Sequence, residues 1–502
     1  MGRQAEQAVL TGSPYDAIAY PGHPFAQTHP DRLATLATLF GLAPAPPDGS
    51  RVLELGCGDA GNLVPMALAL PGARFVGIDS ALRAIERARR LIDALGLSNV
   101  ELLATRIEDY APTEKGFDYV IAHGVYSWVA APVRDRLLAH CGMALAPDGV
   151  AYVSYNALPG GRLREALRDM LAFHTGGLGD ARQRVAQARE LLRFLLAGWP
   201  DDQPFAAAMR RHVERLVDSD DALLAHDELS DDNVSVYFHE FAAHAARHGL
   251  QYLAEADFFE MQTGVVPDAV SDALREVDDV VRREQYLDFL KGRMFRQTLL
   301  CGAEARVDRR PRPAVIERLA VSSPVRASGE PDADGRVTFE GPADSTLTTD
   351  HPLVAGALER IGEQWPAAVQ VGDLLAGETQ ERDRSAVCDA LLRAYGANLV
   401  QLHVRAPSLS VCPGERPEAS ALARYQAREG PLVTNLRHAT VRIEDDLGRR
   451  LVELLDGRRD RAALASELRA FLTESGAPAP DDIDDGLERS LRGLARLALL
   501  TK

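Results

Sequence analysis

The stretch Val52-Leu53-Glu54-Leu55-Gly56-Cys57-Gly58-Asp59-Ala60-Gly61-Asn62 constrains the fold of this chain more than any other segment. A short apolar run ending in a glycine turn suits a buried parallel strand, and Gly56, Gly58 and Gly61 let the backbone bend and approach a ligand closely. The pattern continues downstream. Arg74 to Asp79 reads as a second strand ending in an acid, and Ser80 precedes a helix striped by Leu82, Ile85, Arg89, Ile92 and Leu95 and closed by Gly96. Asn99 to Leu103, Phe117 to Ala122 and Val150 to Tyr155 read as further strands, with a helix over Val133 to Leu145. This alternation predicts a doubly wound α/β sheet of Rossmann-like type, with its ligand at the carboxyl ends of the strands.

At 502 residues the chain is long enough for about three domains. We expect the α/β sheet and an N-terminal lid segment in 1–178 and a helical middle domain in 179–305. In that middle domain Ala186 to Leu196, Val234 to His248 and Val270 to Leu300 read as the longest helices. Residues 306–345, rich in proline, glycine and charge, read as a linker. The basic stretch of Arg293, Arg296, Arg309, Arg310 and Arg312 is read as solvated. In 346–502 three short helices, Leu353 to Ile361, Val371 to Leu375 and Ser385 to Tyr395, precede a strand over Leu399 to Val404, which suggests a winged-helix-like α+β domain.

Composition narrows the function. Lys and Arg number 56 against 73 Asp and Glu, a formal charge of −17, which weighs against nucleic acid as a partner. Five cysteines without a C-x-x-C pair fit a reducing compartment and neither a disulfide framework nor a zinc knuckle. The opening residues lack an apolar signal core, and no apolar run suits a membrane span, so a cytoplasmic location and no membrane partner are expected. His239-Glu240-Phe241-Ala242-Ala243-His244 imitates a zincin motif, but its histidines are spaced for different helix faces. His244 and His248 have the right spacing without an evident third ligand, so no metal is expected.

The glycine spacing is G-x-G-x-x-G, which also describes the dinucleotide-binding turn. Asp79 at the end of the second strand suits ribose hydroxyls with either cofactor class. Three features separate the classes. Glu54 lies inside the first strand; Phe117-Asp118-Tyr119-Val120-Ile121-Ala122-His123-Gly124 looks like the fourth-strand motif of class I methyltransferases; and Leu145-Ala146-Pro147-Asp148-Gly149-Val150 looks like their turn before strand five. The segment Leu103-Ala104-Thr105-Arg106-Ile107-Glu108-Asp109 departs from that pattern by placing Arg106 where many such enzymes put an acid beside adenine.

Further segments sharpen the resemblance: Tyr15-Asp16 through Tyr20-Pro21, Pro24-Phe25, Gln27-Thr28-His29-Pro30-Asp31-Arg32-Leu33; His123-Gly124-Val125-Tyr126-Ser127-Trp128; Tyr152-Val153-Ser154-Tyr155-Asn156; and Glu284 to Leu300. Together they resemble bacterial class I methyltransferases carrying a methyltransferase regulatory domain, whose relatives include rickettsial lysine methyltransferases of outer-membrane proteins.

The resemblance implies S-adenosylmethionine (SAM) as cofactor and S-adenosylhomocysteine (SAH) as product. Glu54, Gly56, Gly58, Asp59, Asn62, Asp79, Ser80, Arg106, Ile107 and His123 would contact the cofactor. It implies a protein acceptor, such as a surface or outer-membrane protein before export, and allows a homodimer.

Methyl transfer from a sulfonium is an in-line displacement that needs alignment and exclusion of water, and a lysine acceptor must first lose its proton. His123, Tyr126, Trp128, Tyr155 and Asn156, which follow strands four and five, are the expected catalytic wall. Tyr15, Tyr20, Phe25, Gln27 and His29 are the expected lid or substrate contacts. The aromatic residues also have a plain reading as core packing. A small-molecule N- or O-methyltransferase and a noncatalytic SAM-responsive regulator remain the alternatives. The absence of an Asn-Pro-Pro-Tyr motif disfavours methylation of base amino groups.

Overall fold

The computed structural model describes residues 22–112, 116–378, 380–475 and 482–501. Its main sheet contains β1 (Arg51–Leu55), β2 (Arg74–Asp79), β3 (Val100–Ala104), β4 (Phe117–Ala122) and β5 (Leu145–Ala157). To these it adds β6 (Ser235–Val236), β7 (Leu250–Glu255) and β8 (Phe295–Gly302). The order is β3-β2-β1-β4-β5-β8-β7, with β6 pairing β5. Strands β1 to β5 run parallel, and β8 lies antiparallel to both β5 and β7. The order reverses between β1 and β4, so a crevice forms at their carboxyl ends. Helices cover both faces, and β1 alternates its side chains between two apolar clusters: Val52 joins one, Leu53 and Leu55 the other.

The expected boundary at 179 does not divide this sheet. Residues 250–255 and 295–302, assigned from sequence to a helical domain, supply its last two strands. The helix expected over Val270 to Leu300 is two helices, Asp268–Arg275 and Val280–Lys291, followed by β8. Gly292, with φ of 58°, ends the second helix in a left-handed cap. The chain beyond alternates, and Arg296 lies on a fully buried face with Glu255, Glu284 and Asp288 as ion partners. Arg293 is also buried and Arg309 half-buried, whereas Arg310 and Arg312 are exposed, so only the end of the basic stretch is solvated. The helix expected over Val234 to His248 begins only at Phe238, because Ser235 and Val236 pair with Asn156 and Ala157.

A helical unit does stand between β5 and β6. Helices Gly161–Thr175, Ala181–Gly198 and Pro204–Val217 pack Leu167, Leu171, Val185, Leu192, Met209 and Val213 into their own core.

The segment 306–345 is ordered structure rather than a linker. Ala320–Ser322 is the central strand of a three-stranded sheet flanked by Val369–Gln370 and Gln401–His403, and 326–349 contributes a second antiparallel sheet. Strands of two to four residues between prolines are too short for periodicity to reveal. Gln401–His403 is therefore an edge of this sheet and not a wing. The C-terminal helices Ala421–Glu429, Asp446–Leu454, Arg461–Glu474 and Ile483–Arg496 surround a separate core with the hairpin Leu432–Thr434 and Thr440–Arg442. That is the winged-helix arrangement, placed later in the chain than the sequence suggested. Among the described residues, no helix is long and apolar enough to cross a membrane.

Candidate active site

The turn after β1 is drawn onto the end of β2. Ile78 O accepts hydrogen bonds from the N–H groups of Gly56 (2.8 Å) and Cys57 (3.0 Å). Asp79 Oδ2 accepts from Gly58 N at 2.8 Å and its Oδ1 from Ala81 N at 2.7 Å. Gly56 adopts φ of 80°, and a Cβ there would lie 2.5 Å from Val125. Glycine is required on both counts.

The N-terminal segment closes over this turn. Asp59 accepts from Gly22 N at 3.3 Å, and Asn62 Oδ1 accepts from Phe25 N at 2.9 Å. A Cβ on Gly61 would meet the Gly22 backbone at 2.5 Å. Beneath lies a cleft of about 280 Å³ whose lining includes Phe25, Glu54, Asp59, Asn62, His123 and Phe295. Gly56 and Gly58 also line it, as do Trp128 and Asn156 on the opposite side.

Glu54 provides the test of what this cleft fits. Its side chain is fully buried, and burial pushes its carboxyl up to about 8. Oε1 accepts from Asn62 Nδ2 at 2.8 Å, while Oε2 is buried without a protein partner. A buried carboxylate oxygen on the wall of a cleft suits an ammonium group, and the amino end of SAM is one.

The far side carries aromatic and polar groups. The His123 ring lies 3.8 Å from that of Phe25, and its Nδ1 meets the Tyr152 hydroxyl at 2.9 Å. Burial lowers its pKa to about 4, so it is a neutral imidazole at neutral pH. Trp128 has the Arg164 guanidinium 5.3 Å from its ring. Arg164 also donates to Asn156 Oδ1 at 3.3 Å and pairs with Glu228 at 2.8 Å. Asp227, also in the lining, has its carboxyl raised by burial.

Several expected site residues lie elsewhere. Tyr155 points away from the cleft, stacking on Phe241 at 4.1 Å and sharing a hydrogen bond with Thr298 at 3.1 Å. Tyr126 packs edge-on to Phe241, and its hydroxyl meets His244 Nδ1 at 2.8 Å. Strand alternation explains the first case: Tyr152, Ser154 and Asn156 share one face of β5, and Tyr155 takes the other. Arg106 is exposed and pairs with Glu108, while Ile107 packs against the core and its carbonyl meets His140 Nε2. Asp79 ends β2 and Ser80 follows it, and neither is part of the cleft lining.

Of the expected lid residues that the structure describes, Phe25 lines the cleft, together with its neighbours Gly22 and His23. Gln27 is half-buried outside it. His29 caps the helix Pro30–Leu39 by accepting from Asp31 N, and it borders a separate cavity of about 520 Å³ shared with Arg405, Arg437 and His438. Tyr15 and Tyr20 lie outside the described residues.

Tyr152, Arg164, Asp227 and Phe295 were missed by sequence reasoning. Tyr152 was visible as the cleft-side partner of Asn156 by period-two alternation. Asp227 and Phe295 come from elements far along the chain and Arg164 from the helix that follows β5, and none carries a local signal.

The structure brings Asp135 to the two histidines weighed for metal binding. Its Oδ1 accepts from His244 Nε2 (3.1 Å) and His248 Nε2 (2.9 Å), an arrangement that satisfies all three groups by hydrogen bonding. His239 is held instead by Gln285.

Comparison with known proteins gives a consistent result across the chain. A methyltransferase domain model matches residues 53–151, a methyltransferase regulatory domain model 220–302, and a model described as the PKMT C-terminal winged helix domain 415–496. An uncharacterized protein of Rickettsia prowazekii is 33% identical over 478 residues, spanning 91% of this chain and 85% of that protein. The structure of PKMT2 from Rickettsia typhi matches with a TM-score of 0.87 at 26% identity, covering 96% of this chain and 100% of that one. PKMT2 in complex with AdoHcy (SAH) matches with a TM-score of 0.86. A ubiquinone biosynthesis O-methyltransferase of Mesorhizobium japonicum is 34% identical over 138 residues, 26% of this chain.

Proposed function

This chain belongs to the family of SAM-dependent methyltransferases that combine a methyltransferase domain, a methyltransferase regulatory domain and a PKMT-type winged helix, and from that premise we propose that it methylates lysine side chains of a protein substrate. The observation that carries this reading is the whole-chain correspondence with PKMT2, whose abbreviation we read as protein lysine methyltransferase. The O-methyltransferase likeness is confined to about a quarter of the chain and bears on the cofactor domain alone.

When bound, the cofactor supplies an electrophilic methyl carbon on a sulfonium. The chain's own residues do the rest. Glu54 would hold the cofactor's ammonium, and the backbone of Gly56 and Gly58 would form part of the cleft wall beneath it. Asp79 holds the turn and offers its remaining acceptor positions to ribose hydroxyls. Phe25 and His123 form an apolar wall that excludes water.

Asn156 Oδ1 and the Asp227 carboxyl are acceptors on the opposite side; both can orient an amine, and the Asp227 carboxylate can receive its proton. The nearby Arg164 guanidinium favours the neutral amine, because a second positive charge is costly there. Trp128 offers an apolar ring to a lysine stem. A surface protein modified before export is the substrate class to which the resemblance points.

Incubation of the protein with methyl-labelled SAM and lysate of the source cell tests the reading, with Asp79→Ala as control. Discrete labelled protein bands, absent in the control and carrying methyl-lysine by mass spectrometry, are expected. Label found only among small molecules would overturn it.

A further inference from the structure

Through the His438 side chain the winged-helix domain reaches Asn62, a residue of the cofactor cleft. His438 lies in the turn between the strands Leu432–Thr434 and Thr440–Arg442, far along the chain from the glycine turn. Its imidazole is buried, and its Nε2 meets Asn62 Oδ1 at 2.9 Å.

The turn is held rigidly. Leu436 N donates to Ala498 O, and Asn435 Nδ2 donates to Leu497 O, which fasten it to the C-terminal end of its own domain. Arg437 donates to Pro366 O at 2.9 Å and Ser322 Oγ at 3.0 Å, with its guanidinium 4.4 Å from the Trp365 ring. His438 adopts φ of 56°, a left-handed conformation that the pinned turn sustains.

Burial keeps the His438 imidazole neutral, so a hydrogen bond from Nε2 to an amide oxygen requires its single proton on that nitrogen. Asn62 Oδ1 then faces two N–H donors, His438 and the backbone of Phe25. With the oxygen so committed, the amide nitrogen must face Glu54, where it donates to Oε1. Rotating the amide would set its NH₂ against both donors. The orientation of Asn62 therefore decides which Glu54 oxygen is engaged and which is left without a protein partner.

We propose that His438 is a positioning residue through which the C-terminal domain sets the Asn62 amide and the Glu54 carboxylate, coupling the seating of that domain to cofactor binding. The coupling is reciprocal: a cofactor held by Glu54 stabilises the His438 contact, and a displaced winged helix weakens cofactor affinity. The proposal uses only the identity of the cofactor and is independent of the lysine assignment.

The test is calorimetric affinity for SAH, with folding checked by circular dichroism. His438→Ala should weaken SAH binding about tenfold, the scale of one buried hydrogen bond. His438→Gln, whose amide can donate in the same direction, should stay within about threefold of the parent. In an Asn62→Ala background, His438→Ala should cause no further loss, since both act through one amide. Addition of SAH should slow hydrogen exchange in residues 435–440 of the parent but not of Asn62→Ala. If His438→Ala fails to fold, His438→Leu refills the volume without a donor and carries the same test. Parent-like affinity in the donor-less variant, or additive losses in the double variant, would overturn the proposal.

Discussion

Asp79 Oδ2 accepts a 2.8 Å hydrogen bond from the backbone N–H of Gly58, so the acid that ends the second strand holds the glycine turn that follows the first. The two sequence signals of the cofactor site are thus one physical unit. The turn keeps its shape because a half-buried carboxylate satisfies its backbone donor.

Asp79→Ala should lose both the turn and the ribose contact. We expect SAH affinity to fall by more than about tenfold, because a charge-assisted hydrogen bond is removed and Gly58 N–H is left without its acceptor. Asp79→Asn retains an acceptor for Gly58 and should fall between the two. Titration calorimetry on variants with parent-like far-ultraviolet spectra would decide; equal affinity in all three would refute this role.

The buried Glu54 carboxyl keeps its proton up to about pH 8 in the cofactor-free protein. An ammonium ligand favours the carboxylate, so binding expels that proton, and SAH affinity should rise from pH 6 to 8, by at most about tenfold per unit. Glu54→Gln should bind more weakly with a flat profile. Stability of the cofactor-free protein has the opposite slope. The unfolded carboxyl, near 4.5, releases its proton first, so the folded state binds more protons between 4.5 and about 8 and stability falls as pH rises through that window. Melting curves of the parent and Glu54→Gln across this range test the second half.

Gly61→Ala places a methyl where the Gly22 backbone lies at 2.5 Å. The segment 22–29 should lift from the cleft, with faster hydrogen exchange there and weaker SAH binding, while the distant helical core around Leu167 and Met209 exchanges as before. Unchanged exchange in 22–29 would show that the contact is relieved without opening the segment.

Tyr155→Phe and Tyr126→Phe should keep methyl transfer within about threefold of the parent, because these hydroxyls face Thr298 and His244 rather than the cleft. Tyr155→Ala should instead cost about 3–5 kcal/mol of stability through the cavity it leaves against Phe241. Trp128→Ala should lower the turnover number with little change in melting temperature, whereas Asn156→Ala should lower both, because the buried amide pairs with Asn233 and Arg164. A large kinetic loss in Tyr155→Phe would return that residue to the catalytic wall.

Local chemistry made much of the cofactor half readable. Val52 to Asn62 combines a buried strand with a glycine turn, and both need only neighbouring residues to be recognised. The helix of Leu82 to Leu95 is likewise written in its own stripe and its Gly96 cap. The acceptor side was less legible. Tyr155 and Asn156 are adjacent in sequence, and which one faces the cleft depends on the pleat of β5. Phe295 was hidden within a segment read as helix, because the ion partners that stabilise Arg296 in a strand come from Glu255, Glu284 and Asp288.

The sequence by itself determined the strand and turn chemistry of the cofactor site, since the necessary hydrogen bonds and backbone angles lie within short spans. Tertiary structure alone decided that β7 and β8 complete the sheet, that Asp227 lines the cofactor cleft, and that His438 meets the amide of Asn62. Those relationships join residues distant in the chain. Burial, which removes competing water and makes each unpaired polar atom costly, selects the partners only when the domains come together.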